Sequence, residues 1–183
     1  KVVERIVATN LKSFMNASNA YGCSQWAFRE GHSCRDLVAL VTARWLLELT
    51  QNRRVGVYLS DISGAFDRVS TQILMQKLEA AGVSRKMLKF LESYLAERVG
   101  TVLVEGAQSK QFVLSNMIFQ GRVIGPILWN LFFADVSEAI PDDIEEDKFA
   151  DDLTASKSFE PTTDDEVILA NMKDCQEKVH AWG

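Results

Sequence analysis

No stretch of this 183-residue chain stays apolar for the roughly 18 residues that a membrane-spanning helix needs. That excludes a helical span and gives no sign of a membrane partner. The N-terminal residues lack the basic, then apolar, then small-residue order of a signal peptide. Cysteine is scarce. Cys23, Cys34 and Cys175 have no metal-ligand spacing, and an odd count does not make a disulfide framework. They read as buried, reduced thiols of an intracellular protein. Internal repeats and low-complexity segments are absent. A basic excess is missing too: 20 Lys and Arg face 25 Asp and Glu, for a net charge of −5. Taken whole, that balance argues against a nucleic-acid binder.

The deficit is local. Residues 1–140 hold 16 basic and 12 acidic side chains, whereas 141–183 hold 4 and 13. A mildly basic body carrying an acidic end differs from a uniformly acidic protein. Apolar residues make up 47% of the chain, enough for a core in one domain or one and a part.

Periodicity supplies the elements. Val2, Val3, Ile6, Val7, Leu11, Phe14 and Met15 predict a helix over 1–17. Residues 18–32 read as loop. Ser33 with Asp36 caps a second helix whose apolar face carries Leu37, Leu40, Val41, Trp45, Leu46 and Leu49. Residues 55–60 predict a buried strand ending at Asp61. Helices follow over 70–81, stopped by Gly82, and over 84–98. Strands are predicted at 101–105 and 110–115 around Gly106, then a helix over 126–139 with Pro126 in its first turn. Residues 147–158 read as a hairpin folded at Asp151-Asp152, and a last helix runs to about His180. Strands and helices mix without regular alternation, which predicts an α+β fold with a small, largely antiparallel sheet covered by helices on one face.

Three carboxylates carry the chemistry. Asp61 closes a strand, and Asp151 and Asp152 sit at a hairpin tip. Ends of neighbouring strands converge, so these groups can meet. Clustered carboxylates repel unless a cation neutralises them, and hard oxygen ligands suit Mg²⁺, which takes phosphate oxygens to complete its shell. Two such ions can serve an in-line displacement on phosphorus. These residues alone leave polymerase, nuclease and phosphatase open.

The surrounding motifs resemble a known family. YLSDISGAFDRV resembles the first catalytic motif of reverse transcriptases of the non-LTR retrotransposon and group II intron type. FQGRVIGPILWNLFFADV resembles their second palm motif, KFADDLTA the YADD box, and QWAFREGHS a fingers segment usually written QFGFR-x-GRS. The four occur in the family's order. The resemblance implies a right-hand polymerase palm, an α+β fold with its small sheet packed on helices, joined to a partial helical fingers region. Residues 1–54 would be partial fingers and 55–183 palm, with a fingers insertion near 84–115 and the thumb absent.

By the same resemblance, Asp61, Asp151 and Asp152 bind two Mg²⁺, with Mn²⁺ as a substitute. Phe66, five positions after Asp61, would pack against the sugar of the incoming nucleotide and exclude a ribose 2′-hydroxyl. Gln120 and Gly121 would line the nucleotide pocket, Arg29 would hold phosphate, and Phe149 would sit near the primer terminus. The implied partners are an RNA template, a DNA primer, deoxynucleoside triphosphates and the rest of a parent polyprotein with a thumb and an endonuclease. The chain departs from the family at Phe149 for Tyr, Arg122 for Ser or Thr, Ala27 for Gly and His32 for Arg. Arg122, His32 and the missing flanking segments motivate one alternative, an inactive, truncated or degenerate relic of such an enzyme. A piece without its thumb is expected to expose apolar faces of helices 84–98 and 126–139, with Phe90, Leu91, Leu95, Leu128, Leu131 and Phe132.

Overall fold

Val55 to Ser60 form the expected strand, but it is not the buried one expected: only Gly56 is buried, with Val57 and Leu59 exposed, because the strand lies at a sheet edge. In the computed structural model, which describes residues 1–183 except 116 and 120, β1 (Arg54–Ser60) pairs antiparallel with β7 (Asp152–Phe159). β7 pairs in turn with β6 (Glu145–Phe149), giving the order β1-β7-β6. This sheet belongs to one of two compact units, built from Tyr21–Ser63 and Phe133–Gly183. The same unit holds α2 (Cys34–Thr50), a 3-10 segment (Ala134–Ala139) and α6 (Asp165–Trp182).

Helices cover both faces of this sheet, not one. On the first face, Lys157 donates to Asn171 and Tyr58 pairs with His180, both partners lying on α6. On the second, Arg44 of α2 bonds Asp147 and Glu145 of β6. Trp45 and Glu48 there line a cavity of about 320 Å³ with Val55, Ser156 and Ser158. The reason is width. Three strands at roughly 4.8 Å spacing present a face about one helix wide. α2 and α6 both join the sheet at the end where Arg54 pairs with Phe159, so they divide between the faces.

Gly56 marks how closely α6 approaches. A Cβ built there would lie 2.9 Å from both Ile168 and Phe159 and 3.3 Å from Met172. Gly56→Ala is therefore expected to destabilise this unit by about 1–3 kcal/mol through overpacking. A urea unfolding midpoint lowered without a change in slope would show it.

The other unit comprises Lys1–Ala20 and Gly64–Phe132. It holds α1 (Val2–Ala17), a 3-10 turn (Ala65–Arg68), α3 (Thr71–Ala80), α4 (Arg85–Leu95) and α5 (Gly125–Phe132). Ser70 and Ser84 cap α3 and α4 by accepting from Ile73 and Met87, and Gly82 takes the positive φ of 85° that ends α3. Leu74, Leu78, Leu91, Leu128 and Trp129 fill its core. The apolar faces of the 84–98 and 126–139 segments are thus mostly buried: Leu91, Leu95, Leu128 and Leu131 are each 5% exposed or less, and Phe90 and Phe132 are half-buried.

Between α4 and α5, β2 (Arg98–Gly100) pairs with β5 (Phe112–Leu114) and β3 (Leu103–Val104) with β4 (Ala107–Gln108). Glu105 and Gly106 turn the inner pair with φ of 49° and 83°, both positive as the favoured two-residue hairpin turns require. α4 stops at Leu95 and not at Arg98, because Ala96 is extended and Arg98 joins β2.

Other expectations shift. The buried stripe of α1 is Glu4, Ala8, Leu11 and Met15, while Val2, Val3 and Ile6 are exposed. On α2, Leu37 and Val41 are buried but Leu40, Leu46 and Leu49 are exposed. The helix predicted over 126–139 ends at Phe132 and resumes as 3-10 structure. Cys175 is buried as a small apolar side chain, whereas Cys23 and Cys34 are exposed.

Candidate active site

The turn between β6 and β7 is Ala150-Asp151, with Phe149 and Asp152 the last paired residues. The tip is thus one residue earlier than Asp151-Asp152, and Asp152 begins β7. On the other side of β7, Ser60 pairs with Leu153, so Asp61 emerges from β1 next to the point where Asp152 enters β7. The three carboxylates therefore share one end of the sheet. Their proximity is felt at Asp152, whose carboxyl is raised above its ordinary value by desolvation first, then by the charges of Asp151 and Asp61. Among the described residues, no three His, Cys, Asp or Glu side chains close around a point that could by itself enclose a metal.

Beside these carboxylates, Phe149 and Leu59 from the sheet and Leu37 and Val41 from α2 border a cleft of about 460 Å³. Asp61 and Asp152 also line it. It is apolar on the helix side and acidic at the strand ends.

The 21–29 segment runs alongside the hairpin. Gln25 bridges Lys148 in parallel, with Trp26 N–H donating to the Lys148 carbonyl and Lys148 N–H to the Ser24 carbonyl. The segment is loop as expected, tied to β6 by this one isolated bridge. Arg29 spans it: Nη1 donates to the carbonyls of Gly22 and Gln25, and the guanidinium carbon lies 5.8 Å from the Tyr21 ring centroid. Burial pushes the Tyr21 phenol up to about 12, with Arg29 pulling the other way.

Phe66 and Gly121 belong to the unit that contains α5. Phe66 lies in the 3-10 turn entered through Gly64, whose φ is 66°. Its ring leans on Trp129 at 5.4 Å between centroids, and its carbonyl accepts from Ile118 N–H at 2.7 Å. The ring is held from behind and remains half-exposed. Gly121 has a φ of 73°, which a side chain would strain. Gln120 lies outside the described residues.

Sequence reasoning missed two anchors. Glu4, largely buried, accepts from Tyr94 Oη and faces Arg122 Nη1 at 3.4 Å. Burial, reinforced by Glu4, pushes the Tyr94 phenol up to about 12. Arg122, which stands where the family has a small residue, thus has a built partner. A carboxylate at helical spacing with Ala8, Leu11 and Met15 was the available signal. The other anchor is Gln25, only 1% exposed, whose side chain reaches the hairpin tip.

The whole chain, residues 1–183, matches the family described as reverse transcriptase (RNA-dependent DNA polymerase). The chain belongs to that family. The RNA-directed DNA polymerase from the mobile element jockey of Drosophila melanogaster is 31% identical over 170 residues, 87% of this chain and 18% of that protein. The probable RNA-directed DNA polymerase from transposon BS of the same species is 30% identical over 136 residues, 74% of this chain and 15% of that protein. The chain thus spans less than a fifth of the curated relatives it matches. Among solved structures, telomerase from Candida albicans superposes with a TM-score of 0.65 at 16% identity, covering 98% of this chain and 32% of that one. The reverse transcriptase fold is therefore the one seen here, and the non-LTR resemblance of the motifs agrees with the relatives.

Proposed function

We propose that this domain extends a DNA primer on an RNA template, and that Asp61, Asp151 and Asp152 bind the two Mg²⁺ that the transfer needs, with Mn²⁺ able to replace them. The observation that carries the reading is the register that brings the end of β1 and the β6–β7 tip together. The donor set fits the metal. It is all oxygen, its mutual repulsion is visible at Asp152, and it is too open to enclose a cation without added ligands such as substrate phosphates. Bound there, the ions supply acidification of the primer hydroxyl and neutralisation of the departing pyrophosphate.

In the reaction, the primer 3′-hydroxyl releases its proton to solvent, its oxygen bonds to the α-phosphorus, and the bond from that phosphorus to the bridging oxygen breaks as pyrophosphate leaves. Asp61, just past the end of β1, and Asp151, in the β6–β7 turn, are the principal ligands, and Asp152 adds charge. Phe66 holds its ring against the sugar with Trp129 behind it. Gln120 and Gly121 line the nucleotide pocket, Arg29 offers its remaining donors to phosphate, and Phe149 borders the primer end. Residues 1–54 serve as fingers and 55–183 as palm, with 84–115 as a fingers insertion, and the rest of a polyprotein supplies thumb and endonuclease. The Candida telomerase, solved in a complex with a fragment of telomeric RNA, supports an RNA partner. The Glu4 partner of Arg122 speaks against a pocket blocked by a loose cation.

Phe66→Ala is expected to lower the preference for deoxy- over ribonucleotides by about 10–200-fold, the range for a steric contact with a small group. Single-nucleotide incorporation with each triphosphate measures it. The reading as a whole is tested by incubating the full-length protein with an RNA template annealed to a DNA primer and Mg²⁺. Extension that requires deoxynucleotides supports it. Strand cleavage without nucleotides, and no extension with them, would replace it with a nuclease.

A further inference from the structure

Ala150 occupies the tip of the β6–β7 hairpin with a φ of 58°, a backbone region disfavoured for any residue with a Cβ. A strained residue beside two of the three carboxylates needs something to hold it. The side-chain amide of Gln25 is built for that. Its Oε1 accepts the Ala150 N–H at 3.0 Å, and its Nε2 donates to the Ala150 carbonyl at 3.1 Å. Oε1 also accepts the Ala27 N–H at 3.0 Å. Two N–H groups converge on one end of the amide and a carbonyl on the other, so only one orientation of the amide satisfies all three.

The anchor behind the amide is firm. The backbone on either side of Gln25 is zipped to Lys148 by two hydrogen bonds of 2.8 Å, and the Gln25 carbonyl is held by Arg29. Ser24 adds a hydrogen bond to Glu146 at 2.6 Å. Gln25 therefore reaches from a backbone fixed on β6 to the residue immediately before Asp151.

We infer that Gln25 is a positioning residue, which clamps Ala150 in its positive-φ conformation and so sets where Asp151 and Asp152 point. The inference rests on the reading of those carboxylates as metal ligands. Glutamate keeps the size but loses the donor to the Ala150 carbonyl, and alanine loses both halves of the clamp. Glycine at position 150 adopts positive φ without help.

The test uses the full-length protein with Gln25→Ala, Gln25→Glu, Ala150→Gly and the double variant Gln25→Ala/Ala150→Gly. Two readouts are taken: single-nucleotide addition, and metal-free hydrogen exchange of the peptide spanning 145–153. Gln25→Ala is expected to lower kcat roughly 10–100-fold, the loss that a small misplacement of catalytic groups brings, with little change in nucleotide KM. Exchange at the hairpin tip accelerates at least tenfold, and Gln25→Glu shows a milder form of both effects. Ala150→Gly alone stays near wild type, and the double variant regains several-fold of the lost rate. A merely structural role would lower thermal stability and soluble yield, with no selective exchange at the tip and no rescue by glycine. That pattern, or a Gln25→Ala kcat within twofold of wild type, overturns the inference. If the wild type extends no primer, the polymerase reading fails, and the exchange arm still decides whether the clamp exists.

Discussion

Asp61→Asn and Asp151→Asn in the full-length protein are each expected to reduce nucleotide incorporation by about a thousandfold. Metal-mediated charge stabilisation is worth several kcal/mol, and each 1.4 kcal/mol is a factor of ten in rate. Asp152→Asn is expected to cost less, since Asp152 is the auxiliary ligand in the proposed arrangement. Metal-free stability should move the other way. Desolvation and the neighbouring carboxylates raise the Asp152 carboxyl, so its ionised form works against the fold when no cation is present. The sign follows from linkage: a carboxyl raised in the folded state favours folding at low pH, and that contribution is lost as pH rises through its folded value. Asp152→Asn should therefore melt slightly higher than wild type at neutral pH without metal, and the difference should close as the pH falls into the ordinary carboxyl range. Loss of activity with retained or raised melting temperature separates a ligand from a structural carboxylate.

Lys148 gives the largest expected effect on stability. It is fully buried in β6, with Nζ donating to Ser137 Oγ at 2.6 Å and to the Ala134 carbonyl at 3.4 Å, and with Glu146 at 3.5 Å. Burial lowers the Lys148 ammonium, and Glu146 opposes that shift. Lys148→Ala leaves Glu146 without its cation in a site where only 17% of its side chain is exposed. Breaking a buried pair from one side costs about 3–5 kcal/mol, so the chemical denaturation midpoint should drop by that equivalent. Replacing both partners, as Lys148→Met with Glu146→Leu, should recover much of the loss, because the uncompensated charge goes too. A double variant as unstable as Lys148→Ala would show that the Nζ hydrogen bonds to Ser137 and Ala134, and not an uncompensated charge on Glu146, carry the stability.

The meeting of Asp61, Asp151 and Asp152 at one end of the sheet was legible because all three stand at strand ends and turns, and their motifs keep order along the chain. Local signals held as well: the Ser33 cap, the Gly82 stop and the positive-φ turn at Gly106 each depend on a few neighbouring residues. What escaped was set by distant partners. The hairpin tip fell one residue early because Asp-Asp carries turn chemistry and alanine does not, yet Ala150 is held at positive φ by a glutamine 125 residues away. The buried face of α1 was misplaced because Glu4 goes inward to reach Tyr94 and Arg122, at separations of 90 and 118 residues. The second helix-covered face of the sheet was missed because periodicity shows that a helix has an apolar side, not which side of the sheet it meets. The acidic balance also reads differently. Within 141–183, Asp147 is tied to Arg44, Glu146 to Lys148 and Asp143 to Lys157, while Asp151 and Asp152 are the proposed cation ligands. The net charge of −5 is therefore no bar to binding nucleic acid.

The most direct test of the account is incorporation of one labelled deoxynucleotide onto a DNA primer annealed to an RNA template, comparing wild type with Asp151→Asn across a Mg²⁺ titration. The account predicts addition that follows the template base, requires the metal and nearly vanishes in the variant. Undiminished addition by Asp151→Asn at any Mg²⁺ concentration would contradict it.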